Sequence, residues 1–158
     1  MVQLKVMEIL VFKSLKRLDL LNEQGELVRS FPIGIGKDPL GHKTREGDFK
    51  TPEGRYQICV KNPKSKFHLS LGLTYPNHED ALTGLSEGAI DDAQYAEILQ
   101  RLLEGRPPLW NTVLGGQIYI HGDLESRDWS EGCIRMLNPD IEYLFSLTEK
   151  GTKVTILP

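Results

Sequence analysis

A cysteine thiol becomes a strong nucleophile once it loses its proton, and histidine is the usual base for that near neutral pH. The segment HGDLESRDWSEGCIRM, residues 121–136, holds both, with His121 and Cys133 separated by 12 positions. Gly132 comes immediately before the cysteine. Without a side chain there, a substrate carbonyl can approach the sulfur closely. The backbone N–H groups around Gly132 and Cys133 would then face the oxyanion that forms on attack. A pair of this kind predicts a thiolate that forms below the free-cysteine value of about 8.5. Spacing alone fits a surface loop equally well.

The other candidate groups are weaker. His42 falls in a glycine-rich stretch, His68 in a strand and His78 beside YPN, and each reads as a surface or partly buried histidine. No local cluster has the spacing of zinc ligands. Two cysteines exclude a disulfide-dense scaffold and a four-cysteine zinc site. Cys59, in YQICV, reads as a small buried hydrophobe. A Cys59–Cys133 bridge stays open at this level and would silence the nucleophile.

Strands and two helices must position the pair. Residues 4–12, 16–22 and 27–33 read as strands, and NEQGE supplies a hairpin turn between the second and third. GIGKDPLGHKTREGDFKTPEG follows as a long loop, of a length usually kept for function. Strands resume at 55–61 and 66–71. DDAQYAEILQRLLE, residues 91–104, has helical periodicity and ends before Gly105 and Pro107. GGQIYIHG returns to a strand ending at His121. A second helix spans about 139–149, with Asn138 read as its N-cap, and TKVTILP closes on a strand. The fold class is therefore mainly β with two α-helices, as one domain over 1–158. The loop 34–50 and LTYPN at 73–77 are expected to border a substrate groove, with Tyr75 either packing on the ligand or belonging to the core.

Composition narrows the function classes. A hydrophobic content of 39% and a charged content of 26% are ordinary for a globular domain. The net charge of −3 gives no electrostatic reason to expect nucleic acid as a partner. No apolar run reaches membrane-spanning length, so no membrane insertion is expected. Lys5 and Glu8 interrupt the apolar start, which does not read as a signal peptide. Residues 37–68 carry eight Lys/Arg against four Asp/Glu, either a solvated face or a basic wall for carboxylate-bearing ligands.

IYIHG followed by SEGCIRM resembles the signature of the L,D-transpeptidase catalytic domain family (YkuD-like), and the likeness extends along the chain. GDFKTPEGRYQI is similar to the family's T-P-x-G segment, LVRSFPIGIG to its early strand and glycine turn, and IEYLFSLTEKGTKVTIL to its closing helix and strand. The resemblance implies a β-sandwich-type catalytic domain with Cys133 as nucleophile and His121 as base. It further implies that the Gly122 carbonyl orients the imidazole, and that Ser130 and Gly132 shape the nucleophile loop. Arg135 either supports that loop or attracts substrate carboxylates. Glu131 stands where many members have histidine, and the loop from His121 to Cys133 is shorter than in many of them. The implied substrates are peptidoglycan stem peptides, with an amine or water as acyl acceptor. Carbapenem-type inhibitors are expected as ligands and no cofactor is implied. The location implied is the periplasm or cell envelope, with a cytoplasmic one left open by the chain's start. Two rivals remain: a binding module that lost the chemistry, and a zinc-dependent hydrolase.

Overall fold

A computed structural model of the chain describes residues 6–158. In chain order the first strands are β1 (Val6–Phe12), β2 (Arg17–Asn22), β3 (Leu27–Pro32), β4 (Ile35–Gly36), β5 (Gly54–Ser65) and β6 (His68–Leu73). They are followed by β7 (Tyr119–His121), β8 (Trp129–Ser130), β9 (Ile134–Arg135) and β10 (Lys153–Leu157). Residues 4 and 5 of the expected first strand lie outside the described residues.

Side chains alternate along a strand, so every second residue reaches the core. Ile9 and Val11, Leu18 and Leu20, and Val154 and Ile156 follow this rule and are buried. β1, β2 and β3 form an antiparallel meander, and β10 lies parallel to β1. β5 serves two neighbours. Its first residues, Gly54–Gln57, pair with β10, and from Ile58 onward it pairs with β6. β7 and β9 complete the eight-stranded order β3-β2-β1-β10-β5-β6-β7-β9. Side chains from both halves meet in one core, Ile9 and Leu20 on one side and Leu71, Ile120 and Ile134 on the other. This is the sandwich-type, mainly-β fold that the resemblance implies.

Among the described residues there are three helices, not two: α1 (His78–Ser86), α2 (Asp92–Leu103) and α3 (Asn138–Leu147). α1 escapes periodicity because its buried face consists of Ala81 and Gly84, too small to mark an apolar stripe. Its start is fixed instead by a reciprocal cap, in which Asn77 accepts from the Asp80 N–H and Asp80 accepts from the Asn77 N–H. Asn138 is not the N-cap of α3. That position belongs to Leu137, and the Asn138 side chain accepts the Asp123 N–H at 2.9 Å. The asparagine thus ties the helix start to the loop that follows β7.

Candidate active site

β7 and β9 run parallel, with Ile120 opposite Ile134 and His121 opposite Arg135. The connecting loop leaves the sheet through β8, which pairs with β4 in a separate ribbon. By this route Cys133 returns one residue before β9, level with Tyr119. Alternation places Cys133 and Arg135 on one face of β9 and Tyr119 and His121 on one face of β7. The register therefore sets the two sequence candidates at diagonal positions on the same face of adjacent strands. No hydrogen bond joins the imidazole to Sγ among the described residues.

His121 is buried, and its ring stacks on Phe67 with centroids 4.4 Å apart and planes inclined by 19°. Its Nδ1 lies 2.8 Å from the Gly122 carbonyl oxygen. A carbonyl can only accept, so Nδ1 carries the proton and Nε2 is left with a lone pair. The carbonyl is itself held in place. Gly122 N–H donates to the Phe67 carbonyl, and a Cβ at Gly122 would stand 2.4 Å from Asn138 Oδ1. Burial, as the main cause, lowers the His121 pKa from 6.5 to about 4, and the Arg135 charge acts in the same direction. At neutral pH the imidazole is an unprotonated base.

Cys133 is partly exposed. Its Sγ accepts the Tyr119 N–H at 3.4 Å, and its S–H donates to the Gln117 carbonyl at 3.5 Å. Burial raises the thiol pKa above its ordinary value, while the Tyr119 N–H and the Lys43 and Arg135 charges act against that rise. Glu131 adds a small upward push. Desolvation thus disfavours the charged form of both groups, in the opposite direction to the low-pKa thiolate expected from the sequence.

The nucleophile loop is pinned from two sides. Ser130 Oγ accepts the Gly132 N–H at 3.0 Å and donates to the Cys133 carbonyl. The Gly132 N–H is thus not available to an oxyanion, which leaves the Cys133 N–H as the nearer candidate. Thr51, which sequence reasoning did not single out, donates its hydroxyl to the Gly132 carbonyl at 2.8 Å and accepts the Gly36 N–H at 2.9 Å. Gly132 has φ +147°, and a Cβ there would lie 2.9 Å from the Lys50 carbonyl. No side chain fits that position.

The remaining candidates separate. Arg135 is buried and donates from Nη2 to the Asp123 carbonyl at 2.9 Å and to Ser126 Oγ at 3.1 Å. It braces the loop after β7 and supplies positive charge behind the pair. Glu131 is exposed at the rim. Tyr75 is 1% exposed, and its hydroxyl donates to the Leu114 carbonyl at 2.7 Å. It is a core residue, packed in the same cluster as Leu73 and Ile118. Loop 34–50 approaches the nucleophile loop at Lys50, whose carbonyl oxygen would lie 2.9 Å from a Cβ at Gly132. His42 binds Asp80, His68 binds Glu142 and His78 binds Tyr95. Both cysteines are free, and burial pushes the Cys59 thiol up to about 12. Among the described residues no group of three or more His, Cys, Asp or Glu is placed to hold a metal ion.

The site thus sets a buried, carbonyl-oriented histidine at the end of β7 and a glycine-preceded cysteine just before β9 of a mainly-β domain. The chain belongs to the L,D-transpeptidase catalytic domain family (YkuD), which it matches over residues 7–156. It is similar to YafK from Escherichia coli strain K12, whose name places that protein provisionally among L,D-transpeptidases. The identity is 29% over 140 residues, covering 85% of this chain and 44% of YafK. Among solved structures, the helical cell shape determining protein Pgp2 from Campylobacter jejuni superimposes with a TM-score of 0.66 at 25% identity. That match covers 96% of this chain and 47% of Pgp2. Bd1075 from Bdellovibrio bacteriovorus shares the fold, with a TM-score of 0.65 at 23% identity over 98% of this chain and 48% of its own. The chain spans about half the length of these relatives.

Proposed function

We propose that the chain is a cysteine-dependent L,D-transpeptidase acting on peptidoglycan stem peptides through a thioester on Cys133. One observation carries this reading. The Gly122 carbonyl fixes the proton on His121 Nδ1, which leaves Nε2 as a base on the sheet face that Cys133 shares. Cys133 Sγ attacks the carbonyl carbon between the L-centre of the third stem residue, a diamino acid, and the following D-amino acid. His121 Nε2 takes the thiol proton as the C–S bond forms. The same nitrogen then protonates the leaving amine as the C–N bond breaks. The charged intermediate is confined to the moment of transfer, because both groups are neutral at rest. An amine from a second stem resolves the thioester into a cross-link, whereas water would give a carboxypeptidase or endopeptidase. Ser130, Thr51 and Gly132 hold the loop, and Arg135 supports it from behind. The site of action is the cell envelope, where peptidoglycan lies, and the likeness to Pgp2 supports a role in cell shape.

The test is incubation with defined muropeptides and resolution of the products by mass spectrometry. Wild type should yield cross-linked or trimmed stems cut at the L,D bond, and Cys133→Ala neither. Turnover by Cys133→Ala would overturn the reading.

A further inference from the structure

The ring that covers one face of the buried His121 imidazole belongs to Phe67, which is itself only half-buried and lies in the turn joining β5 to β6. Several contacts fix that turn. Ser65 pairs with His68 across the hairpin, and Ser65 Oγ accepts the Phe67 N–H at 2.9 Å. His68 has φ +75°, a left-handed conformation uncommon for a residue with a side chain, and such strain gathers at functional sites. His68 Nε2 lies 2.6 Å from Glu142 Oε1, which ties the turn to α3. The Phe67 carbonyl accepts the Gly122 N–H at 2.9 Å. A Cβ at Gly122 would stand 2.9 Å from that carbonyl and 3.2 Å from the His68 Cβ, so only glycine lets the turn come this close. Phe67 therefore meets the histidine twice. Its ring stacks on the imidazole with centroids 4.4 Å apart, and its backbone holds the glycine whose carbonyl fixes the proton on Nδ1.

We infer that Phe67 is the positioning residue of the general base, a clamp that fixes the plane of the His121 ring, keeps water from one of its faces and offers a π-face to the imidazolium formed during transfer. The clamp rests on the thioester reading for its role in catalysis. A stacked neighbour restricts rotation about the His121 Cβ–Cγ bond, and proton transfer to Nε2 needs one fixed direction for that nitrogen. The neutral imidazole gains dispersion and a dry face from the stack. Once Nε2 has taken the thiol proton, a cation lies against the electron-rich face of an aromatic ring in a desolvated site, where such contacts are strongest. Stabilisation that appears only as the proton moves acts on the transition state more than on the resting site, and so speeds acylation. The surrounding charges come from three elements. Arg135 of β9 and Arg127 of the loop after β7 disfavour a positive imidazole, whereas Asp123 of that loop favours it. From the hairpin turn, the Lys66 ammonium lies 4.9 Å from the Phe67 centroid, and the Arg135 guanidinium lies 5.5 Å from the same centroid.

Two measurements test it. The ¹H–¹⁵N imidazole signals of His121, assigned with His121→Gln, are followed against pH, and acylation by a carbapenem at pH 7.5 is resolved into a maximal rate and a half-saturating concentration. Phe67→Ala removes the cover, so the His121 midpoint should climb from about 4 towards 6.5 as water reaches the ring. Phe67→Leu keeps an apolar cover and loses the π-face, so its midpoint should stay at or below that of wild type. Both variants should lower the maximal rate by at least roughly 2–30-fold, the range for a lost cation–π contact, with the half-saturating concentration little changed. The imidazole is unprotonated at pH 7.5 in every variant, so a slower rate there reads positioning and not protonation. Phe67→Tyr restores the ring and should recover most of the rate. A packing role alone would lower the urea midpoints of the alanine and leucine variants and leave the titration and the maximal rate where they are. A His121 midpoint unmoved in Phe67→Ala, or a leucine variant that acylates as fast as wild type, would overturn the clamp. If wild type forms no adduct on Cys133, the thioester reading falls, and the imidazole titrations alone then decide whether the clamp exists.

Discussion

Thr51→Val tests the positioning of the nucleophile most sharply, because valine keeps the shape and removes only the hydroxyl chemistry. Thr51 is fully buried, and its Oγ1 bridges the Gly36 N–H at 2.9 Å and the Gly132 carbonyl at 2.8 Å. Substitution leaves one buried donor and one buried acceptor unpaired. At about 1–3 kcal/mol for each stranded group, the loss of stability is roughly 2–6 kcal/mol. For a chain of this size, at about 2–4 °C per kcal/mol, that lowers the melting temperature by roughly 4–24 °C. Acylation should slow by more than the remaining folded fraction explains, since the peptide before Cys133 loses its anchor and small misplacements cost rate steeply. Thr51→Ser keeps both bonds, drops one methyl and should lose only about 1 kcal/mol. The assays are urea unfolding and the rate at which a carbapenem adds to the protein, read by intact mass. Equal behaviour of the valine and serine variants would refute the bridging role.

Further outcomes follow from the neutral pair. His121 is depressed from 6.5 to about 4, so between those values the unfolded chain binds the proton and the folded chain does not. Stability should therefore fall by about 3 kcal/mol as pH drops from 6.5 to 4; His121→Gln should lack this component in urea midpoints taken at pH 7.5, 5.5 and 4.5, and parallel curves would refute it. Because burial raises the Cys133 thiol pKa, its alkylation rate should rise with a midpoint above the free-cysteine value of about 8.5. A midpoint below about 8.5 would mean a preformed thiolate. His121→Ala should slow acylation by roughly 10²–10⁴-fold, the range for a lost general base, and full activity in that variant would place the base elsewhere.

What could be read from the sequence follows the range of the interactions involved. Period-2 burial in β1 and β10 and the apolar stripe of α2 are local patterns, and they locate those elements to within a few residues. The capping pair Asp91 and Gln94 likewise lies within four positions of chain. α1 is local too, yet its buried face of Ala81 and Gly84 carries no hydrophobic signal. Asn138 looks like a cap by position, but its side chain is spent on Asp123, 15 residues earlier. Thr51 stood out only as part of a T-P-x-G segment, because its partners are 15 and 81 residues away. The protonation states were least legible. Local sequence places an imidazole near a thiol, whereas the burial that keeps both neutral arises only when β7, β9 and the loop at Lys50 are packed together.

The central claim is that Cys133 becomes acylated with His121 as its base. The most direct measurement is peptide-level mass spectrometry of the protein quenched during turnover of a stem tetrapeptide, run alongside Cys133→Ser and His121→Ala. The account predicts a stem-peptide mass on the fragment containing Cys133, absent in the serine variant and accumulating far more slowly in the alanine variant. Product formation without a Cys133 adduct, or an adduct on Cys59, would contradict it.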